Sequence, residues 1–228
     1  MGAADAGSQH QDFRTVPRLW GPVRGKRVLD LGCGVGLYSR ELSRRGAWTV
    51  GLDLEMDSLQ KARAGGEAVG WVLADAAHLP FRPGVFDAAV SVEVLTHIPP
   101  ETRRAALGQL AAALRPGGYF YASLHNRLRL TLAQLCRLRP PRDEYPTNHL
   151  TVWPTGPAAW RELAQSAGFV GGRRVYYMNF HSRFSERFRR EYPLGARLLA
   201  AAEAVAARLP LVRRLAITFL LPLEKGAR

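Results

Sequence analysis

Short apolar runs alternate along this chain with longer stretches whose apolar residues recur every three or four positions. Arg27-Val28-Leu29-Asp30-Leu31 is the first run, and it stops at glycines. A helical pattern follows over Gly36–Arg45, with Leu37 and Glu41 on neighbouring turns. Trp48–Asp53 reads as a second strand, Ser58–Ala64 as a helix and Ala68–Leu73 as a third strand. Phe86–Val92 is a fourth, Glu101–Leu114 a helix and Tyr119–Leu124 a fifth strand. The helix should stop at Arg115-Pro116-Gly117-Gly118, because proline cannot continue it and glycine accepts positive φ. Residues 127–155 read as a long Arg- and Pro-rich connection holding at most one helix, over 128–138. A helix over 156–167, a strand over 171–180, a mostly helical insertion over 181–213 and a last strand over 215–223 complete the pattern. Strand–helix alternation at this spacing predicts an α/β fold with a largely parallel sheet and helices on both faces. Ligands of such sheets bind at the carboxyl ends of the strands. That end collects Asp30–Gly36, Asp53, Asp75, Val92–His97 and His125–Asn126.

Gly32-Cys33-Gly34-Val35-Gly36 directly follows the first strand. Glycines there let the backbone turn and let a ligand approach without a Cβ in the way. A dinucleotide loop wants G-x-G-x-x-G and a pyrophosphate on the helix N-terminus. Here the spacing differs and Asp30 stands in front, which suits a ligand carrying positive charge, such as an ammonium or sulfonium. Asp53 closes the second strand, where a carboxylate can accept hydrogen bonds from two ribose hydroxyls. Asp75 closes the third, where an adenine amino group could be read. A single Asp at a strand end is more often a turn or cap; three beside a glycine loop weaken that plainer reading.

In VLDLGCGVG (28–36), VGLDLEMDSLQKAR (50–63), ADAAHLPFRPGVFDAAVSVEVLTHI (74–98), LRPGGYFYASLHN (114–126) and AGF (167–169), the chain resembles the class I S-adenosylmethionine-dependent methyltransferases. Within that class it is similar to the type 11 group, which includes ubiquinone and menaquinone biosynthesis enzymes. The likeness covers residues 25–170. It implies a Rossmann-like seven-stranded sheet of order 3-2-1-4-5-7-6 with the seventh strand antiparallel. It also implies a single domain over 25–228 after an N-terminal segment 1–24, with the insertion 181–213 between strands six and seven as a candidate lid. The implied cofactor is S-adenosyl-L-methionine. By the same resemblance Asp30, Gly32, Cys33, Gly34 and Gly36 hold its methionine end, Asp53 binds the ribose and Leu54 flanks the adenine. Asp75 and Ala76 read the adenine edge, and Val92 contributes backbone near the methyl donor.

Methyl transfer from a sulfonium is an in-line displacement, so the protein mainly aligns a nucleophile and excludes water. A base is needed only where the acceptor must lose a proton. The candidates near the methyl group are His97, His125 and His149, together with Asn126 and His181. Glu93-Val94-Leu95-Thr96-His97 resembles the E-x-x-E-H stretch that ubiquinone-pathway enzymes associate with a divalent metal. Thr96 stands where the second glutamate would be, so no metal site is expected. Each histidine also has a structural alternative, as a loop cap or a satisfied neighbour of the pocket.

Composition sharpens the partner question. The 228 residues carry 32 Lys and Arg against 19 Asp and Glu, a formal charge of +13. Residues 1–101 hold 11 basic and 12 acidic side chains; residues 102–228 hold 21 and 7, with eight arginines and no acid over 102–142. The surplus therefore lies in the half expected to form the acceptor pocket. It suggests an anionic acceptor or an anionic surface nearby, unless the arginines simply face solvent. In 181–213 the apolar positions Leu194, Leu198, Ala201, Ala202, Val205 and Leu209 share a helical face behind Arg183, Arg187, Arg189 and Arg190. That pattern fits peripheral membrane contact, although a helix packed on the domain with its arginines in solvent is the favoured reading.

Cys33 and Cys136 are the two cysteines; they form neither a CxxC pattern nor a disulfide framework. The N-terminus lacks the basic and apolar regions of a signal peptide, so a cytoplasmic, reduced setting is the default. The expected activity is methyl transfer to an O, N or C nucleophile of a small-molecule or lipid-precursor acceptor. A tRNA methyltransferase and a catalytically silent cofactor-binding subunit stay open as alternatives. The absence of a separate RNA-binding motif disfavours nucleic acid.

Overall fold

The computed structural model describes residues 20–66, 69–128, 145–146, 151–172, 174–178 and 218–227, with Val205, Leu209, Arg214 and Ala216 as isolated positions. Its first half is built from β1 (Arg27–Leu31), α1 (Leu37–Arg44), β2 (Trp48–Asp53), α2 (Met56–Arg63), β3 (Val69–Leu73), β4 (Phe86–Val92) and α3 (Pro100–Ala113). The second half holds β5 (Leu114–His125), β6 (Tyr145–Pro146), β7 (Thr151–Val152), α4 (Pro157–Ser166), β8 (Phe169–Gly171), β9 (Tyr176–Met178) and β10 (Thr218–Lys225). The central sheet runs β3-β2-β1-β4-β5-β10-β8, and β9 also pairs with β10. The first five strands are parallel, whereas β10 is antiparallel to β5, β8 and β9. This is the order expected of the Rossmann-like class. Among the described residues no helix is long and apolar enough to cross a membrane.

Period-two alternation assigns the sheet's two faces. Leu29, Leu31, Ala89, Phe120, Ala122, Leu124, Phe219 and Leu221 pack on one face with Leu107 and Leu110 of α3 and Trp160 and Ala164 of α4. Val28, Ala88, Val90 and Leu220 form the other face, under Tyr38 and Leu42 of α1. Trp20 and Val23 join this second cluster. Both belong to the N-terminal segment 1–24 expected to precede the domain.

The larger departures from expectation are four. First, the strand expected over 171–180 is two pieces, β8 and β9. Gly171 and Gly172 take φ of 94° and 68°, and Arg161 Nε and Nη2 hold the Gly172 carbonyl at 3.0 and 2.8 Å. The chain bulges there, because the step from Gly171 to Tyr176 lies opposite the shorter step from Leu223 to Leu220. Second, β5 begins at Leu114, not Tyr119. The Pro-Gly-Gly stop does end the helix, but it then becomes a bulge facing Phe86–Ala88 of β4, with Gly117 at φ 70°. Third, β10 spans Thr218–Lys225 where 215–223 was expected. Fourth, the supposed connection 127–155 contains the hairpin of β6 and β7. The helix expected over 128–138 and most of the insertion 181–213 lie outside the described residues. Within that insertion Val205 and Leu209 are exposed.

Candidate active site

The carboxyl end of the sheet is built around the turn after β1. Gly32, Gly34 and Gly36 all have positive φ. At two of them space is also decisive. A Cβ on Gly32 would run into the Val94 side chain, and one on Gly36 into the Trp71 ring. Trp71 reaches across Gly51 of β2, where a Cβ would lie 2.5 Å from its ring. The loop is thus pressed between the segment after β4 and a tryptophan from β3. The N–H groups of Gly32 and Cys33 bond the Leu52 carbonyl at 2.7 and 2.9 Å, which fixes the loop to β2.

Asp53 closes this arrangement. Its Oδ2 accepts the Gly34 N–H at 2.7 Å and its Oδ1 the Glu55 N–H at 3.0 Å. Each carboxylate oxygen can accept a second bond, so the group is oriented and retains two acceptor sites for a vicinal diol. Above Gly34 no atom lies within 4 Å of a would-be Cβ. Beside it, Leu54 and Met56 are 70% and 50% exposed. An open glycine, an oriented carboxylate and exposed apolar side chains fit the ribose and adenine of S-adenosylmethionine.

Asp30 precedes the loop on β1. It is buried, and its Oδ2 accepts the Ser39 hydroxyl at 2.6 Å. Burial pushes its pKa up to about 7, Ser39 opposing this and Asp53 adding to it. A carboxyl with a folded pKa above its unfolded value contributes stability that is full below the unfolded value and is lost as pH rises through the folded one. Asp30→Asn is therefore expected to gain melting temperature relative to the native chain as pH rises from about 4 to about 8. A difference that does not change with pH would contradict a buried, ionising carboxyl. Cys33 is also buried, and burial pushes its thiol pKa upward, with Asp30 and Asp53 adding to the shift.

Asp75 is exposed, with Oδ1 accepting the Ala77 N–H at 2.8 Å and Oδ2 3.7 Å from His78. It forms its own turn at the end of β3, with Ala76 half-buried beside it. Val92 ends β4, half-buried, and the next residue is unusual. Glu93 takes φ 61° and is the one non-glycine residue at positive φ among those described. Its N–H donates to both the backbone oxygen and the hydroxyl of Ser123, at 3.1 and 3.0 Å. Such bonds over-determine a conformation that otherwise costs about 1–3 kcal/mol.

Two of the predicted histidines meet beyond this turn. The rings of His97 and His125 lie 6.2 Å apart, edge to face. His97 Nδ1 is 2.9 Å from the Thr151 carbonyl on β7. A carbonyl only accepts, so Nδ1 carries the proton and Nε2 keeps a lone pair. Burial lowers the His97 pKa and His125 lowers it further, against the Thr151 bond that raises it. His125 Nδ1 is buried with no partner among the described residues, and burial lowers the ring to about 4. Both rings are therefore neutral near pH 7. Asn126 is buried and structural: its amide donates to the Arg214 and Ala216 carbonyls at 2.8 and 3.0 Å and accepts the Leu128 N–H at 3.1 Å. Thr96 is buried against Trp153, with its carbonyl accepting the Trp153 N–H at 2.8 Å. His149 and His181 lie outside the described residues.

Sequence reasoning missed Ser39, Ser123, Thr151 and Arg103. Ser39 follows the last loop glycine by one helical turn, which was a usable signal. Arg103 sits on the buried stripe of Ala106, Leu107 and Leu110, where a charge is out of place. Thr151 acts through its backbone, which no residue type announces.

Residues 29–122 match a family described as Methyltransferase domain. The ubiquinone biosynthesis O-methyltransferase of Azoarcus sp. (strain BH72) is 40% identical over 111 residues, 46% of either chain. That of Pectobacterium carotovorum subsp. carotovorum (strain PC1) is 36% identical over 108 residues, 45% of this chain and 44% of its own. Each match spans under half of the relative's length. An S-adenosylmethionine-dependent methyltransferase from Mesorhizobium loti superposes with a TM-score of 0.68 at 22% identity, covering 94% of this chain and 97% of that one. Magnesium protoporphyrin IX methyltransferase from Synechocystis PCC 6803, with bound SAH, gives 0.66 at 19% identity, covering 96% and 84%. These structural likenesses establish the fold.

Proposed function

We propose that the protein, whose residues 29–122 match the Methyltransferase domain family, uses S-adenosylmethionine to methylate a hydroxyl of a small-molecule acceptor, with His97 as the base. The observation that carries this reading is the Thr151 carbonyl on His97 Nδ1. It leaves Nε2 as a proton acceptor in the turn after β4, beside His125. The cofactor, when bound, supplies an activated methyl group. Gly34 and Asp53 hold its ribose side, and Leu54 flanks the adenine. His97 takes the hydroxyl proton on Nε2, and its Nδ1–H stays on Thr151 throughout. A neutral imidazole is the competent form, and the lowered pKa of His97 keeps it neutral at pH 7. The neighbouring neutral ring of His125 adds no positive charge to oppose that proton transfer.

An amine acceptor that arrives deprotonated would need no such base, which is why the bonded histidine favours a hydroxyl. The basic half of the chain supports an anionic or membrane-presented acceptor, and Val205 and Leu209 supply exposed apolar surface for the second. The test is a panel of phenols and catechols with their matching anilines, assayed with S-adenosylmethionine across pH. Methyl transfer to the hydroxyl compounds, losing rate only below about pH 6.5, is expected. Preferential transfer to the anilines would contradict the reading.

A further inference from the structure

Arg103 is, among the described residues, a buried cation that the proposed reaction does not use. It lies on α3 with 4% of its surface exposed. Its Nε and Nη2 donate to the Ile98 carbonyl at 3.2 and 2.8 Å, and Nη2 also reaches the Trp153 carbonyl at 3.3 Å. Burial lowers its pKa, with Glu101 opposing the shift. Burying a guanidinium is costly unless its bonds return something. These bonds join two segments distant in sequence: the turn Thr96–Ile98 after β4, and residues 151–153. The same junction holds the Trp153 N–H on the Thr96 carbonyl at 2.8 Å and the His97 ring on the Thr151 carbonyl at 2.9 Å. His97 thus sits between the two carbonyl-bonded ends of the clamp.

We infer that Arg103 is a positioning residue for His97: by clamping residues 151–153 onto the turn after β4, it sets the Thr151 carbonyl against Nδ1 and keeps the ring out of water. A forked guanidinium is needed because one donor group must hold two carbonyls on different segments. Lysine, with a single compact ammonium, would hold one of them well. The inference rests on the proposed role of His97 only for its effect on rate; its effect on the ring is independent of catalysis.

The groups acting on His97 fix the expected sign. Burial lowers its pKa most, His125 lowers it too, and the Thr151 bond raises it. Loosening the clamp admits water and removes the Thr151 bond; since burial is the larger influence, the pKa should rise. The experiment is nitrogen-15 NMR titration of the histidine side chains in the cofactor-free full chain, for Arg103→Lys and Arg103→Met. The His97 midpoint is expected to rise toward 6.5, further in the methionine variant, with loss of the Nδ1–H tautomer. With acceptor supplied, kcat should fall about tenfold while calorimetric S-adenosylmethionine affinity holds. If Arg103→Met does not fold, Arg103→Lys carries the test. An unchanged His97 midpoint and tautomer in a folded variant would overturn the inference. So would a parallel loss of cofactor affinity, which would mark general loosening. If His97→Asn leaves the rate intact, the base role fails, and Arg103 is then judged by the titration alone.

Discussion

Replacing His97 by asparagine is expected to lower kcat by about 100- to 10,000-fold, the range for removing a positioned general base. Asparagine is chosen because its side-chain N–H can still donate to the Thr151 carbonyl, which leaves the junction with residues 151–153 in place. Only the acceptor at Nε2 is lost. Cofactor affinity should be unchanged, since Gly34, Asp53 and Leu54 are untouched. Single-turnover rates separate the chemical step from product release, which a steady-state kcat cannot. A rate within a few-fold of the native one would remove His97 from the chemistry and leave alignment alone to account for transfer. The native pH profile should lose rate only on the acid side, as His97 becomes protonated below its ordinary imidazole range.

The second large effect is expected at Asp53. Alanine there removes an acceptor for two ribose hydroxyls, a loss of about 1.5–3 kcal/mol or roughly 10- to 150-fold in affinity. It also deprives the Gly34 N–H of its partner at 2.7 Å, so the loop loses the bond that sets its height over β2. Asp53→Asn keeps one acceptor oxygen and should lose less. The order native, asparagine, alanine therefore reports on hydrogen bonding to the carboxylate rather than on folding, which melting temperature monitors separately. Equal affinity in all three would mean that the ribose lies elsewhere.

Much of the cofactor end was legible because its signals are local. The strand Arg27–Leu31, the alternate glycines and Asp53 are close in sequence, and parallel pairing brings them together with few alternatives. Asp30 shows the limit of that approach. Its position in front of the loop was readable, but its burial under Ser39 depends on how α1 packs back on β1. Asp75 was readable as a strand-end carboxylate; that Oδ1 closes a turn onto Ala77 was not. The acceptor side was harder. His97 and His125 could be placed at the ends of neighbouring strands, yet the carbonyl that holds the His97 ring comes from Thr151 on β7, 54 positions away in sequence. The hairpin of β6 and β7 was invisible because each strand is two residues long, too short to alternate. The break between β8 and β9 falls in Gly171-Gly172-Arg173-Arg174, where the apolar alternation lapses; the glycine geometry and the Arg161 fork that fix it are tertiary facts. The charge split at residue 101 was legible at once, but Arg103 shows that a basic residue in the second half need not face a partner at all.

The proposed cradle for S-adenosylmethionine is the glycine loop together with Asp53. Isothermal titration of the full chain with S-adenosylmethionine tests it most directly. Saturable binding at one site per chain is expected, weakened markedly in Asp53→Ala and kept in His97→Asn. A native chain that folds and gives no heat of binding across the titration would contradict it.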